Sequence, residues 1–492
     1  MIKKNVLIIG AGFSGITAAA YLAKCGYKVT VLEKNEELGG RARKLTTPNG
    51  FTFDMGPSWY WMPDIIESFF NDFDTTTSNF FDLVPLNPQF EIIFNKEVLA
   101  LPGNFSQWLS VFENKEKGSG KQLTSFMTQA RYKYEVGMKD FVTKPCHSWS
   151  EFFSPVIAKS AFKLDLLSNF RTYTKRYFKN EQLRTVMEFP VIFLGASPNK
   201  IPALYSLMNY GGYKLGTWYP MGGFSRLVDA MVSIAVQQGV TFLTNQEVVN
   251  FHYSENEIKT VETKNNTFEV DAVIGSADYN HLETLLPEKY RNYNAKYWSE
   301  RTFAPSCLIY YIGLNERIPN IVHHSLFFEH ELDSHIHSIY ESKTWPTKPL
   351  FYVCCPSQTD KSVAPEGCEN LFLLMPIANN LDDDEETRNH YLQEMISRIE
   401  QKTGTKDLLS KIIFKRSYCV SNFKEDYFAY GGNAYGLANT LKQTAVLKPA
   451  IRNKKIKNLW YTGQLTVPGP GVPPAIISGK IVANELIKNY SR

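Results

Sequence analysis

The stretch 6–33, VLIIGAGFSGITAAAYLAKCGYKVTVLE, decides the fold of this chain. It opens with the apolar run 6–9, a pattern typical of a parallel strand that is buried on both faces. The alanine-rich run 16–24 then predicts a helix, and the run 28–33 predicts a second strand that ends in an acid. Between the first strand and the helix lie three glycines with G-x-G-x-x-G spacing: Gly10, Gly12 and Gly15. This order predicts a βαβ unit within a parallel sheet.

Each of the three glycines has a physical role in binding a dinucleotide. The first allows a tight turn, the second lets the backbone approach a pyrophosphate, and the third lets helix and strand pack closely. The pyrophosphate would lie at the helix N-terminus, where unpaired N–H groups favour an anion. Glu33, 18 residues after Gly15, is placed to accept hydrogen bonds from ribose hydroxyls. The predicted cofactor contacts of this unit also include Ala11, Phe13, Ser14 and Lys34.

Two segments after the second strand favour FAD over NAD. The segment 38–43 reads LGGRAR, and the segment 51–58 reads FTFDMGPS. Together they resemble the GG(R) segment and the F-D-x-G-P-S box of the flavin-dependent amine oxidase and phytoene desaturase superfamily. The resemblance implies that Gly40 and Arg41 pass close to the flavin pyrophosphate. It also implies that Gly56, Pro57 and Ser58 approach the isoalloxazine ring, and Met55 is a further predicted cofactor contact.

The C-terminal part carries a second match to the same superfamily. The strand-like run 458–463 (NLWYTG) is followed by the loop 464–474 (QLTVPGPGVPP) and a predicted helix over 475–489. This order resembles the C-terminal signature of bacterial-type phytoene desaturases, with departures at Gln464, Leu465, Val467 and Pro470. The resemblance implies cofactor contacts from Gly463, Gln464, Gly471, Val472 and Pro473, and an adenine contact from Val248.

The resemblance covers the whole chain and implies an α/β fold with a discontinuous nucleotide domain. A Rossmann-like FAD-binding domain with a parallel sheet would comprise residues 1–82, 216–295 and 431–492. A mixed α+β substrate-binding domain, with a helical membrane-facing part, would be inserted as residues 83–215 and 296–430.

Two aromatic or basic stretches each allow two interpretations. Trp59, Tyr60 and Trp61 directly follow the box expected near the flavin, so they predict either core packing or a lining for the substrate. The segment 149–184 combines many apolar side chains with seven basic and three acidic ones. It predicts either an amphipathic helix pair on an anionic membrane surface or surface helices with a solvated face.

Composition excludes several classes of protein. Of 492 residues, 43% are hydrophobic and 21% charged, which is typical of a globular protein, and a net charge of +4 is too small to indicate nucleic acid binding. Seven cysteines without C-x-x-C spacing, and nine histidines without H-x-x-x-H spacing, predict a reducing compartment and no metal site. No run approaches the roughly 20 apolar residues of a spanning helix. We therefore expect a cytoplasmic protein that associates peripherally with the membrane.

By its resemblance, the chain is identified as a member of the phytoene desaturase-type carotenoid desaturases. The family's reaction transfers hydride from an acyclic polyisoprenoid to flavin, with either phytoene-type or 1-hydroxycarotenoid 3,4-desaturation. No catalytic group can be named from the sequence. A second dinucleotide motif is absent, so the expected electron acceptor is oxygen or a quinone. Carotene isomerase, flavin amine oxidase and a non-catalytic prenyl-lipid escort protein remain as alternatives.

Overall fold

A computed structural model describes residues 4–152, 164–165, 168–192 and 195–491. The helices among these residues are α1 (Phe13–Lys24), α2 (Pro63–Asn71), α3 (Phe105–Lys115), α4 (Ser119–Gly137), α5 (Phe170–Lys175), α6 (Glu181–Ile192), α7 (Leu207–Asn209), α8 (Ser225–Gln237), α9 (Tyr279–Thr284), α10 (Ala295–Ser299), α11 (Leu332–His337), α12 (Glu385–Thr403), α13 (Val420–Tyr427) and α14 (Val472–Tyr490). The strands are β1 (Asn5–Ile9), β2 (Lys28–Leu32), β3 (Lys44–Thr46), β4 (Thr52–Asp54), β5 (Leu83–Pro85), β6 (Phe90–Phe94), β7 (Glu97–Leu101), β8 (Trp218–Pro220), β9 (Thr241–Leu243), β10 (Val248–Ser254), β11 (Glu257–Thr263), β12 (Thr267–Glu269), β13 (Ala272–Gly275), β14 (Ser306–Leu314), β15 (His324–Phe327), β16 (Phe351–Cys354), β17 (Glu369–Ile377), β18 (Ile412–Tyr418) and β19 (Leu459–Tyr461).

The glycine-rich βαβ unit forms the centre of a five-stranded parallel sheet. Its strand order is β19-β13-β1-β2-β9, and Ile8 of β1 pairs with Val31 on one side and Ile274 on the other. The apolar runs of β1 and β13 are buried as expected for central parallel strands. α1 packs against α8 and α14. The predicted α/β class and βαβ unit are therefore present, and all five strands lie within the segments predicted for the nucleotide domain.

A mixed seven-stranded sheet forms the second part of the fold, in the order β18-β14-β17-β16-β15-β6-β7. Adjacent strands in this sheet are antiparallel, except for β15 and β6, which are parallel. One face packs on α12, and the other contributes to the largest core together with aromatic residues of α3, α4 and α6. All seven strands lie within the segments 83–215 and 296–430 predicted for the substrate domain, although the division into domains stays a prediction.

In the described part of the segment 149–184, aromatic side chains of α5 and of the turn after it pack into the core. Phe170, Tyr173 and Phe178 are at most 2% exposed and pack in the core, while Arg171 forms ion pairs with Glu188 and Asp333. The membrane prediction for residues 153–163 and 166–167 lies outside the described residues. Within the described ranges, no helix combines the length and the apolar character needed to cross a bilayer.

Histidine at position 335 makes the stability of this fold depend on pH. His335 Nδ1 accepts a hydrogen bond from Leu350 N–H at 2.7 Å, and Nε2 donates to the carbonyl of Pro376 at 2.7 Å, so the ring must be neutral. Burial lowers the pKa of this imidazole to about 4. Below about pH 6.5 the unfolded chain therefore takes up a proton that the folded protein does not, and stability is lost as the pH falls toward 4.

We expect His335→Gln to weaken this pH dependence, because an amide can replace both hydrogen bonds without titrating. The free energy of unfolding in urea should fall between pH 7 and pH 5 by up to about 2 kcal/mol more in the wild type than in the variant. His390→Gln, at an exposed position, is the control and should behave as the wild type. The same slope in His335→Gln and the wild type would contradict the assignment.

Candidate functional site

The turn between β1 and α1 is closed on two sides and open on the third. Gly10 has φ +101°, and a Cβ on it would lie 3.0 Å from the backbone N of Ala277. A Cβ on Gly15 would lie 2.1 Å from the carbonyl oxygen of Gly10, so helix and strand pack as predicted. No atom lies within 4 Å of a Cβ on Gly12, which caps the N-terminus of α1. The open side of the turn is thus the helix N-terminus, where an anion is favoured.

The predicted ribose carboxylate lies beside this turn. Glu33 follows β2 and is 5% exposed. Its Oε2 accepts a hydrogen bond from Ala11 N–H at 2.9 Å, and its Oε1 accepts one from Asn35 N–H at 2.9 Å. The side chain of Lys34 instead extends toward another segment, where Nζ donates to the carbonyl of Glu425 at 2.6 Å. Glu33 is therefore at the turn, and the ammonium group of Lys34 is held elsewhere.

The GG(R) segment and the box at 51–58 both converge on the same turn. A Cβ on Gly40 would lie 3.2 Å from Gly12 Cα, and one on Gly56 would lie 2.5 Å from the carbonyl oxygen of Arg41. The buried guanidinium of Arg41 lies 4.7 Å from the ring centroid of Tyr427, and its Nε has no hydrogen-bond partner. Burial lowers the pKa of Arg41.

The C-terminal loop completes this site from the other end of the chain. A Cβ on Gly463 would lie 3.1 Å from Ser14 Oγ, and Gly463 N–H donates to Ser478 Oγ at 3.0 Å. Gly471, with φ +117°, caps α14. The helix therefore begins at Val472, earlier than the predicted 475, because proline is tolerated in the first helical turn.

Two further predicted contacts lie at the edges of this arrangement. Gln464 follows Gly463, and its backbone oxygen would lie 2.9 Å from a Cβ on Gly436. Val248 begins β10, is 6% exposed and shares a core with Leu32 at the end of β2. The roles of both residues toward a cofactor stay predictions.

The aromatic triplet after the box is divided between two cores. Trp59 and Trp61 contact each other with ring centroids 5.2 Å apart and belong to the largest core. Tyr60 points into the core of the parallel sheet, where its ring centroid lies 5.8 Å from that of Phe224. Trp59 also stacks on His324, with centroids 4.2 Å apart. Of the three predicted substrate residues, only the two tryptophans share one aromatic cluster.

A buried chain of hydrogen bonds connects the box to this aromatic cluster. Ser58 Oγ lies 2.9 Å from Tyr352 Oη, which lies 2.6 Å from His324 Nδ1. His324 Nε2 has no partner, and burial lowers the pKa of this imidazole well below its usual range. The ring is therefore neutral. The Nε1 of Trp59, which stacks on His324, is also buried without a partner.

The residues at the glycine turn fit an anionic dinucleotide such as FAD. The space in front of Gly12 is free, and the Nε of Arg41, next to the Gly40 that packs on Gly12, is buried without a hydrogen-bond partner. Among the described residues, the guanidinium of Arg41 has only the carbonyl of Asn433 and the Tyr427 ring as partners, so an anionic ligand would stabilise it. The donor set and the free space agree with the cofactor predicted from the sequence.

The sequence from residue 13 to residue 487 matches the family described as flavin containing amine oxidoreductase. The chain belongs to this family. Membership confirms the predicted resemblance and the prediction of FAD as cofactor.

Several proteins align with this chain over nearly their full lengths. A carotenoid 3,4-desaturase of Haloarcula japonica is 37% identical, with 99% of each chain covered. A 4,4'-diapophytoene desaturase (4,4'-diaponeurosporene-forming) of Staphylococcus aureus is 27% identical, with 99% of each chain covered. An oxidoreductase from Methanosarcina mazei, 16% identical, superposes with a TM-score of 0.63 and covers 98% of this chain and 100% of that chain. A reduced UDP-galactopyranose mutase, 14% identical, gives a TM-score of 0.62 with 100% and 97% covered. These structures confirm the α/β fold class.

Sequence spacing missed a compact group of possible metal ligands in this flavoprotein. His323, His324 and Cys354 are all buried, and one ligand atom from each lies within 4.8 Å of the others. They come together because β15 pairs with β16, which no H-x-x-x-H search can detect. The Nδ1 atoms of both histidines bond to hydroxyl groups, those of Thr359 and Tyr352.

We expect Tyr352→Phe to destabilise the protein, because it leaves Ser58 Oγ and His324 Nδ1 unpaired in the core. The cost should be about 1–3 kcal/mol in the free energy of unfolding, measured by chemical denaturation. Tyr60→Phe is the matched control, since the hydroxyl of Tyr60 is buried and has no partner. Its removal should leave stability unchanged or raise it. Equal losses in both variants would refute the hydrogen-bond chain.

Proposed function

We propose that the protein is an FAD-dependent carotenoid desaturase, which introduces C=C bonds into an acyclic polyisoprenoid. The observation that carries the proposal is the full-length similarity to the Haloarcula japonica carotenoid 3,4-desaturase at 37% identity. The structure supports it through the aromatic cluster that directly follows the box at 51–58. The ring centroids of Trp61, Phe90 and Phe189 all lie within 6.0 Å of the ring centroid of Trp59. An apolar aromatic cluster beside the box suits contact with a long apolar substrate.

FAD, when bound, supplies the hydride acceptor for an allylic carbon of the substrate. The chain's own residues position the substrate and exclude water. Gly56 lets the box pass directly over Arg41, and Ser58 is fixed by Tyr352. Trp59 and Trp61 cover the adjacent space with apolar rings, which lowers the local dielectric and excludes competing reactions. His324 is neutral and carries an unpaired Nε2, so it can hydrogen-bond to a polar group of the substrate.

We further propose that desaturation occurs at the 3,4 position, near one end of the carotenoid. The relative named for this regiochemistry is 37% identical, whereas the diapophytoene desaturase is 27% identical. A 1-hydroxylated end group is compatible with the aromatic cluster, because the unpaired Trp59 Nε1 and His324 Nε2 can bond to a hydroxyl group.

The electron acceptor and the membrane contact are also proposals. The single dinucleotide motif leaves no obvious site for NADPH, which favours oxygen or a quinone as acceptor. A peripheral contact with the cytoplasmic membrane surface would bring the enzyme to its water-insoluble substrate. Trp149, the first residue of the basic segment 149–184, is 56% exposed and supports this location.

The test is pigment analysis in cells that express the chain and accumulate a defined acyclic carotenoid. One strain supplies phytoene, and a second supplies a 1-hydroxylated acyclic carotenoid. We expect a red-shifted product with one additional double bond in the second strain. A desaturated product only from phytoene would overturn the 3,4 assignment. Unchanged double-bond counts in both strains, with FAD bound, would favour an isomerase or an amine oxidase.

A variant that cannot bind FAD serves as the control for desaturation by enzymes of the host. Gly12→Val is suited to it, because the open turn tolerates the side chain in the folded protein but should exclude FAD. Pigment changes that persist in this variant would come from the host. A wild-type protein that contains no FAD would instead support the prenyl-lipid escort alternative.

A further inference from the structure

Lys448 is a buried lysine whose ammonium group has no partner among the described residues. It follows the short helical turn Ala445–Leu447 and is 5% exposed. Its Nζ is inaccessible to solvent and forms no hydrogen bond. Lysine is almost never fully buried without a partner, because an isolated ammonium group loses its hydration. The position therefore requires either an anion that joins it or a neutral amine.

The C-terminal glycine loop of the proposed flavin site packs against this amine. Gly469 has φ +134°, and a Cβ on it would lie 3.3 Å from Lys448 Nζ and 2.9 Å from Asn439 Oδ1. Asn439 Oδ1 is likewise buried and unpaired. Two residues later, Gly471 caps the N-terminus of α14, whose unpaired N–H groups favour negative charge. Two independent features at this loop, an amine that can be protonated and a helix N-terminus, thus favour an anion.

The surroundings of Lys448 contain little other charge. Burial lowers its pKa to about 7, and the Cys146 thiol is the titratable group that opposes this shift. Burial, followed by the charge of Glu151, raises the pKa of that thiol to about 12, so it is neutral near pH 8. Asn439 and the loop 467–471 carry no charge. Lys448 is therefore poised to gain a proton when negative charge arrives nearby.

We propose that Lys448 is the counter-ion of the reduced flavin, and that it takes up one proton when the flavin is reduced. The inference rests on the proposed flavin-dependent function. A two-electron reduction by hydride leaves the flavin ring with one negative charge, which a neighbouring cation stabilises. None of the contacts that the sequence predicts for FAD includes this lysine. It is a positioning and charge-balancing residue, separate from the group that would contact the substrate.

The balance of the reaction is as follows. The substrate loses a hydride, with two electrons, to the flavin, and its cation loses a proton to form the C=C bond. The neutral amine of Lys448 gains one proton, so that the reduced ring and the ammonium group together carry no net charge. Oxygen or a quinone then accepts the two electrons, and both protons leave with the reduced acceptor. Charge, protons and electrons are conserved over the cycle.

The test is the pH dependence of the flavin midpoint potential in the purified holoenzyme without carotenoid. Each proton taken up with two electrons contributes about 30 mV per pH unit. We expect a slope of about 59 mV per pH unit between pH 7.5 and 9 for the wild type, and about 30 mV for Lys448→Met. Lys448→Arg keeps the charge but does not titrate, so its slope should also be about 30 mV. Its potential should lie above that of Lys448→Met.

A surface lysine provides the control for removal of a positive charge. Lys488→Met changes a side chain that is 65% exposed on α14 and should keep the wild-type slope and potential. A wild-type slope of about 30 mV would overturn the proposal, as would equal slopes and potentials in wild type and Lys448→Met. If Lys448→Met loses FAD, the comparison between wild type and Lys448→Arg still tests proton uptake.

The redox test is independent of the proposed substrate. If the protein binds FAD but does not desaturate carotenoids, the pigment experiment fails while the slope of the potential still decides the role of Lys448. If the slope is about 30 mV in a protein that does desaturate carotenoids, only the role of Lys448 is refuted.

Discussion

Gly12→Val will fold with the stability of the wild-type apoprotein but will purify without FAD. The backbone of Gly12 has φ −77° and ψ 176°, which valine adopts readily, and no atom lies within 4 Å of the new Cβ. The side chain would instead occupy the free space at the N-terminus of α1, where the pyrophosphate must approach the backbone. We expect FAD affinity to fall by about 100-fold or more, which corresponds to about 2.7 kcal/mol.

The measurement is the ratio of flavin to protein absorbance, together with the thermal unfolding of the apoprotein. Gly137→Ala is the control, because this glycine ends α4 and its Cβ would make an ordinary contact at 3.5 Å with Leu207. That variant should keep a full complement of FAD. A Gly12→Val protein with normal FAD content would mean that the pyrophosphate does not lie at this turn.

Gly479→Val should prevent the last helix from packing on the first one. A Cβ at this position of α14 would lie 2.4 Å from the carbonyl oxygen of Ser14, a backbone atom of α1 that cannot move without displacing the glycine turn. Overpacking against a rigid backbone costs about 3 kcal/mol. We expect a loss of this size in the free energy of unfolding, with loss of FAD as a secondary effect.

Urea denaturation of the apoprotein separates the packing effect from cofactor loss. Asn484→Val places the same side chain on an exposed position of α14, and asparagine and valine have similar helix propensities. It should change stability by less than about 0.5 kcal/mol. Comparable stability of Gly479→Val and Asn484→Val would show that α1 and α14 do not pack as closely as described.

The sequence was sufficient to predict those parts of the fold that form within one short segment. The glycine turn, its helix and the acid at position 33 lie within one βαβ unit, and hydrophobic pattern with glycine spacing predicted each of them. Resemblance supplied the cofactor and the second half of the site at 463–473. The strand β18 was not predicted, because its residues IIFKRSY show no alternation of apolar and polar side chains and it lies at the edge of a sheet.

The parts that sequence could not predict depend on pairing between distant segments. Tyr352 bonds to Ser58 across 294 positions, and nothing around either residue indicates the other. The sequence around Lys448 is typical of a surface loop with several lysines. Only the contact with Gly469 in the structure reveals that its amine is buried. Tyr60 was grouped with its tryptophan neighbours, although successive residues of an extended segment point to opposite sides.

The packing of α14 on α1 also sets the time at which the cofactor can be captured during synthesis. The turn at Gly12 and the loop from Gly463 are separated by roughly 450 residues, so a ribosome working at about 5–20 residues per second needs roughly 20 to 90 s between them. Throughout that interval β1 and α1 lack the neighbouring β19 and α14. FAD loading must therefore follow translation of the C-terminal loop, and a nascent chain that stalls before it presents an incomplete nucleotide site to the cell's chaperones.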